Sequence, residues 1–484
     1  MKQLQFLFLL TLCLLLLAAC SFFRRPAPAE IETVAGVTPT ATSLVRGLQP
    51  TFTATPLPPV VTMPAADAPL LSSSATPAPS TPAPLPAPVL APRGGLLTNA
   101  RYLDTVTAAQ IDELSAKFYP ANNLIHARYD IDRYQLTLQT VDENDQPVIV
   151  RAELFFPRLS AWAAFPVLVY GAGTTGIGAN CAPLDEWSHG RNWGNYRTHM
   201  LSYAAQGLIT ILPLWQGYDD AARTHPYFVA RLEGYLLLDA ARAVYNFFAS
   251  PPPDILAQPL DAVFFAGYSQ GGHGAFAADQ FAPWYAPELT VKGVIGHATA
   301  PSVEALLRER PPLAPYIVHA YSNYYGPYVI APESVFLPQW LPTFTQDVTG
   351  KCVDEVYQYY PVEPTRLYRP EFLNALYSGQ LDNGFAAFKQ VLDLNYAGSA
   401  INPQTPAVLL HGAVDPIVTT QTNEAFMTEI CQMGKQVTYY LYPEVNHFAT
   451  RQHAFADTLR WMQEVLNGGT PRSDCPVNLD TDGG

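Results

Sequence analysis

The feature that most restricts the fold of this chain is the run Phe264-Phe265-Ala266-Gly267-Tyr268-Ser269-Gln270-Gly271-Gly272. An apolar stretch of strand-forming type (263–266) leads straight into Gly-x-Ser-x-Gly, and a helix-forming stretch (272–281) follows. A serine on so tight a strand-to-helix turn needs neighbours without side chains two residues away, which Gly267 and Gly271 supply. The turn lifts Ser269 above a sheet edge. It also turns the Gln270 backbone N–H and the helix start toward any negative charge developing there. The rest of the chain must then supply a parallel sheet with helices packed on it.

Its pattern does so. Apolar runs at 166–170, 208–212, 263–266, 291–295, 407–410 and 437–441 alternate with helical stretches at 228–248, 272–281, 420–431 and 449–466. Such alternation predicts a mainly parallel sheet covered on both faces. Ahead of it, 107–118 reads as an amphipathic helix with Ile111, Leu114 and Phe118 on one face. Two alternating stretches, 134–141 and 148–156, flank Asp142-Glu143-Asn144-Asp145 as a hairpin. A hairpin entering a parallel sheet is the plan of the α/β-hydrolase fold. The rhythm stops between 301 and 403, where prolines and tyrosines crowd (Tyr321, Tyr324, Tyr325, Tyr328, Tyr357, Tyr359, Tyr360, Tyr368). That stretch is too long for a structureless loop and reads as a cap or lid inserted over the sheet edge, with a partly aromatic pocket beneath it.

The termini read differently. Residues 1–20 form a leader: Lys2, a short apolar run, then Leu17-Ala18-Ala19-Cys20, which resembles the bacterial lipobox. That resemblance implies a lipid on Cys20 and a chain outside the cytoplasm, held to the membrane, and Ser21 is not the Asp that signals inner-membrane retention. Many of the 46 prolines fall in 21–95, a Pro/Ala/Thr/Ser-rich tether. The catalytic core is expected at 96–300 and 404–470, with the cap at 301–403 and a tail at 471–484. With 27 basic against 41 acidic residues and no basic run, nothing suits nucleic acid. Once Cys13 leaves with the leader and Cys20 takes lipid, Cys181, Cys352, Cys431 and Cys475 remain. Four cysteines in an oxidising compartment suggest two disulfides in one of three pairings. Their spacing offers no metal site, and no cofactor is expected.

Serine needs a base, and the base an orienting carboxylate, in the chain order Ser, acid, His. Asp415 follows the buried run ending Leu410-His411-Gly412, and His447 follows Leu441-Tyr442-Pro443. Both therefore stand at strand ends, on the edge that carries Ser269. His273 points along the helix after Ser269 and reads as packing. His411 precedes the acid and reads as a turn cap, His453 lies within a helix, and His297 could line the pocket. The second oxyanion donor should come from an earlier loop, Gly171-Ala172-Gly173-Thr174-Thr175-Gly176, where Gly173 and Thr174 join Gln270 as candidates. No Gly-Lys-Ser/Thr follows, which argues against a nucleotide loop.

Several of these pieces together resemble the secretory lipase family, the fungal lipase-A type and its bacterial relatives. They are Gly173-Thr174-Thr175-Gly176 with Cys181-Ala182-Pro183, Trp215-Gln216-Gly217-Tyr218, His225-Pro226-Tyr227, Arg231-Leu232-Glu233-Gly234, the Ser269 turn, and Asp415 with His447. The resemblance spans roughly 100–470. Two positions depart from it, Gly171-Ala172 before Gly-Thr and Leu214 before Trp215. It implies a triad of Ser269, Asp415 and His447, a helical lid, and the pairings Cys181–Cys352 and Cys431–Cys475. The expected activity is hydrolysis of carboxylic esters, including lipid esters. The alternatives are a serine peptidase, in which Glu186, Glu233 or Asp185 would receive a substrate ammonium, and a non-catalytic surface binding protein.

Overall fold

The computed structural model describes residues 94–475. The leader, Cys20, most of the tether and the last residues of the tail lie outside them.

The chain enters through an edge strand, β1 (Leu97–Val106), and helix α1 (Ala108–Phe118), whose N-terminus is closed by a reciprocal Thr107–Gln110 capping box. The hairpin β2 (Ile131–Val141) and β3 (Pro147–Pro157) follows, then β4 (Ala163–Gly171), α2 (Tyr196–Ala204) and β5 (Ile209–Pro213). Next come α3 (Ala230–Ala249), β6 (Ala257–Tyr268), α4 (Gln270–Tyr285) and β7 (Val291–His297). Seven helices then run without a strand: α5 (Val303–Glu309), α6 (Ala314–Tyr325), α7 (Pro332–Val335), α8 (Phe344–Gly350), α9 (Val353–Tyr359), α10 (Pro370–Tyr377) and α11 (Asp382–Leu394). The chain returns through β8 (Ala407–Gly412), α12 (Thr420–Gln432), β9 (Val437–Tyr442) and α13 (Thr450–Leu466).

The nine strands of the described residues form one sheet in the order β1-β2-β3-β5-β4-β6-β7-β8-β9. Pairing is antiparallel from β1 to β5 and parallel from β5 through β9. This is the α/β-hydrolase fold. The central strands are buried on both faces, so they read as unbroken apolar runs such as Val167, Leu168 and Val169, each fully buried. β1 has no such signature: residues 98–102 are exposed, and among the described residues the strand pairs only with β2. It is an edge strand that no hydrophobic pattern announces. Helix α2 is equally silent, being buried all round and lacking a polar face.

The helices between β7 and β8 have an apolar interior of their own, which continues into Tyr227, Phe228, Leu232, Ile417 and Val418 of the core. Their tyrosines do other work than lining a pocket. The hydroxyls of Tyr316, Tyr321, Tyr324 and Tyr368 donate to the carbonyls of Lys351, Phe228, Thr224 and Leu307 at 2.6–3.0 Å. Each satisfies a backbone acceptor with its hydroxyl while its ring is buried or half-buried, so these four tyrosines staple the cap helices to the chain around them. Tyr328 is simply exposed.

The disulfides are Cys181–Cys352 and Cys431–Cys475. The first ties the loop after β4 to the start of α9, beside a Val353 N–H to Thr175 carbonyl bond of 2.9 Å. The second fixes the beginning of the expected tail. Asp474 N–H donates to Val437 O, and the Asp474 carboxylate accepts from Tyr439 N–H, so 471–475 lie along the open edge of β9. Replacing both Cys181 and Cys352 by Ser should lower the unfolding free energy by about 2–5 kcal/mol. The measurement is the urea midpoint at constant slope, and an unchanged midpoint would show that this link carries no stability.

Candidate active site

The parallel register brings the strand ends level. Gly171 pairs with Gly267, Tyr268 with His297, His297 with Leu410, and Gly412 with Tyr442. The residues just beyond these positions therefore emerge at one edge, which is why Ser269, Asp415 and His447 share it.

Ser269 has φ +55° and ψ −112°, a conformation rarely adopted by a residue with a side chain. Its N–H donates to His297 O at 2.9 Å, and its carbonyl accepts from His273 N–H and Ala300 N–H. A Cβ on Gly267 would strike the Gly271 carbonyl. A Cβ on Gly271 would strike the Gly171 carbonyl, so the second glycine is required by the close approach of β4 and not by the turn alone.

On β8 and β9 the two following turns interlock: Ala413 N–H donates to Tyr442 O, and Val414 N–H to Val445 O. Asp415 Oδ1 accepts from Ile417 N–H and Val418 N–H at 2.8 and 2.9 Å. Its Oδ2 accepts from His447 Nδ1–H at 2.7 Å. Burial acts to raise the Asp415 pKa, but the charge and hydrogen bond of His447, with smaller help from His411 and Val418 N–H, outweigh it. The net result is a carboxyl below its ordinary value. With Nδ1 occupied as a donor, Nε2 of His447 is left as the basic nitrogen. The ring lies 5.0 Å from that of Tyr268, immediately before Ser269. The Ser269 hydroxyl itself makes no hydrogen bond among the described residues. All three side chains are nearly inaccessible, at 7% for Ser269, 8% for Asp415 and 3% for His447. Tyr357 of α9 stands close enough to Asp415 to feel its charge.

The oxyanion candidates separate. The Gln270 backbone N–H has no partner among the described residues. Gly173 N–H, by contrast, is taken by Tyr196 Oη at 2.8 Å. The expectation that Gly173 donates is therefore corrected; the N–H of Thr174, like those of Thr175 and Gly176, has no partner among the described residues, and the Thr174 hydroxyl meets Tyr227 Oη at 2.8 Å. Tyr196 is a functional neighbour that sequence reading missed, because nothing local links it to a loop 23 residues earlier.

The other histidines are placed as follows. His411 Nε2–H donates to Val418 O at 3.1 Å. His297, expected near a pocket, is buried against α13 and donates to Thr458 Oγ1 at 3.0 Å. His273 bonds Glu233, and His453 lies within α13, where its backbone carbonyl also accepts from the Asn123 side-chain amide. The acids considered for a substrate ammonium are all committed. Glu186 accepts four backbone N–H groups, from Trp193 to Tyr196, Asp185 pairs with Arg151, and Glu233 holds Gln270 and His273. Among the described residues no group of three or more His, Cys, Asp or Glu is placed to hold a metal ion.

Comparison with known proteins follows the same lines. Residues 197–310, which include Glu233 and Ser269, match the secretory lipase family model. Lipase A of Moesziomyces aphidis is 24% identical over 364 residues, covering 71% of this chain and 74% of that protein. The secreted triacylglycerol lipase LIP1 of Malassezia furfur is 23% identical over 303 residues, covering 58% and 57%. Among solved structures, the rice cell wall degrading esterase LipA of Xanthomonas oryzae superposes with TM-score 0.63 at 18% identity, over 78% of this chain and all of that one. Candida antarctica lipase A gives 0.60 at 20%, over 79% and 84%. Fold and site thus define the class as α/β-hydrolase. The resemblance to the secretory lipase family, read first from the sequence, holds.

Buried histidines should make the fold acid-sensitive. Burial lowers His225 and His297 to about 3 (Arg451 adding to the effect at His297) and His319 and His411 to about 4, from an ordinary 6.5. Below pH 6.5 the unfolded chain binds protons that the folded one refuses, so stability is lost as pH falls from 6.5 toward 4. The carboxylate of Asp415, with its lowered pKa, adds a loss only at lower pH. The unfolding free energy should fall between pH 6 and 4.5 with a slope steeper than about 1.4 kcal/mol per pH unit, the value for one proton. A flat profile from denaturant titrations across that range would contradict this.

Proposed function

We propose that the protein is a secreted serine hydrolase that cleaves carboxylic esters through an acyl-enzyme on Ser269, with His447 as base and Asp415 orienting it. The observation that carries this reading is the closed Asp415–His447 pair at the strand edge shared with a strained, glycine-flanked serine. His447 Nε2 takes the Ser269 proton as the hydroxyl attacks the ester carbonyl. Asp415 keeps the imidazole in the required tautomer and stabilises the imidazolium. Gln270 N–H and Thr174 N–H receive the oxyanion, the role first considered for Gly173. His447 returns the proton to the leaving alkoxide and then activates water to release the acid. The Ser269–His447 contact, open here, is the one that tightens with substrate bound.

The engaged state of Glu186, Glu233 and Asp185 favours an ester over a peptide with a free amino end. The helices of 301–403 serve as a cap over the site, which supports an apolar acyl group. The names of the fungal relatives support lipid esters as the substrate class. Ser269→Ala should reduce p-nitrophenyl ester hydrolysis by about 10⁵-fold or more, and Asp415→Asn by about 10⁴, both with unchanged circular dichroism. Full activity of folded Ser269→Ala, or aminoacyl amides cleaved faster than short esters, would sink the reading.

The same reading places the chain outside the cytoplasm, as the naming of the Malassezia relative as secreted supports. The lipobox-like Leu17-Ala18-Ala19-Cys20 supports a lipid anchor on Cys20, and 21–95 then gives the enzyme reach from the membrane. In a bacterial host, radiolabelled palmitate should enter the protein and be lost in Cys20→Ala. Equal labelling of both, or of neither, removes the anchor.

A further inference from the structure

Behind the nucleophile turn lies a buried polar network that the proposed mechanism does not use. Glu233, in the first turn of α3, is fully buried. Its Oε1 accepts from Phe228 N–H at 3.0 Å and from the Gln270 side-chain amide at 2.8 Å. The same amide nitrogen donates to His225 Nε2 at 2.9 Å, because His225 Nδ1–H is spent on Gln216 O. Glu233 Oε2 meets His273 Nδ1 at 2.6 Å, and His273 Nε2–H donates to Asn395 O at 2.7 Å. Asn395, just past α11, reaches back with Oδ1 to Ala230 N–H. Gly234 permits all this, since a Cβ there would strike the Ala277 backbone and push α3 off α4.

A buried carboxylate is costly unless its environment uses it. Here it grips two residues in the first turn of α4, one of which carries the N–H that receives the oxyanion. We propose that Glu233 is a positioning residue for that donor: through the Gln270 amide and the His273 ring it fixes the first turn of α4, and so holds the Gln270 N–H on the oxyanion. This rests on the assignment of Ser269 as nucleophile and deepens it. The carboxylate does not touch substrate. Its effect belongs to the transition state, in which charge on the oxygen develops, and not to ground-state binding.

The test is a cycle of variants assayed on a p-nitrophenyl ester. Glu233→Ala should lower kcat about 10- to 100-fold, less than the 10²–10³ typical of deleting an oxyanion donor, with KM within about twofold. Glu233→Gln can still accept from Gln270 and Phe228 and donate to His273 Nδ1, so it should keep kcat within about threefold. Gln270→Ala should lose kcat as Glu233→Ala does, and the double variant should lose little more than either alone. A trifluoromethyl ketone should bind Glu233→Ala more weakly in proportion to the loss in kcat/KM. Unchanged kcat in Glu233→Ala, a loss confined to KM, or losses that multiply in the double variant would overturn the proposal. If Glu233→Ala does not fold, Gln270→Ala decides alone: kcat lost at constant KM supports it, and kcat retained refutes it. Labelling of the wild type by a fluorophosphonate separates the two levels. No labelling removes the Ser269 reading and this proposal with it, whereas labelling with an indifferent Glu233→Ala removes this proposal only.

Discussion

The structure depends above all on the close approach of the end of β4 to the first turn of α4, where Gly171 and Gly271 meet without side chains. Gly271 lies against the Gly171 carbonyl so closely that a single methyl group would force them apart. That contact seats the turn that carries Ser269 directly against the end of β4, where the loop bearing Thr174 begins. Because β6, β7, β8 and β9 pair in parallel and end together, Asp415 and His447 arrive at the same level without any long excursion of the chain. The site is a consequence of strand register, with the loops adding only the last few residues.

Around this edge the protein buries charge and answers it locally. Glu186 closes the start of α2 with four backbone N–H bonds. Burial raises its pKa, although those bonds and Arg451 act against the shift. Arg451, one helical turn after His447, is fully enclosed. Its guanidinium sits 4.3 Å from the Tyr268 ring centroid and 4.8 Å from that of Tyr196, and it donates to Gly194 O at 2.6 Å. Tyr268 precedes Ser269 and Tyr196 holds Gly173 N–H, so one cation spans the segment of His447, the Ser269 turn and the loop after β4. A delocalised, weakly hydrated guanidinium suits a site enclosed between rings better than the ammonium of lysine would.

How much of this could be read from the sequence follows from where the information lies. The parallel strands were legible because burial on both faces makes them continuous apolar runs, and Asp415 and His447 were legible because each directly follows such a run. β1 was not: it is solvated on an edge, and its residues Asn99, Arg101 and Asp104 carry no alternation. The helices at 301–403 escaped periodicity because prolines open five of the segments there, including α7 and α10, and because many are only four to eight residues long. The stapling by tyrosine hydroxyls was hidden for a related reason: composition reports that a ring is present but not where its hydroxyl ends. Nor could any local pattern reveal that Gly173 N–H is already bonded, since its partner Tyr196 comes from another element. Long-range partners of this sort emerge only when the backbone is folded.

The turn at Ser269 shows why those partners matter. A non-glycine residue at φ +55°, ψ −112° carries strain of about 1–3 kcal/mol. Left alone, the chain would relax it by rotating the Ser269–Gln270 peptide, which would also swing the Gln270 N–H away from its present direction. Three backbone hydrogen bonds oppose the rotation, to His297 O and from His273 and Ala300 N–H. The Gln270 amide opposes it from the far side, held by Glu233 and His225. Each bond is worth only about 0.5–1.5 kcal/mol net, but breaking any of them would leave a buried polar group unpaired. The serine is thus presented by a conformation that local sterics disfavour and that the surrounding elements do not permit to relax.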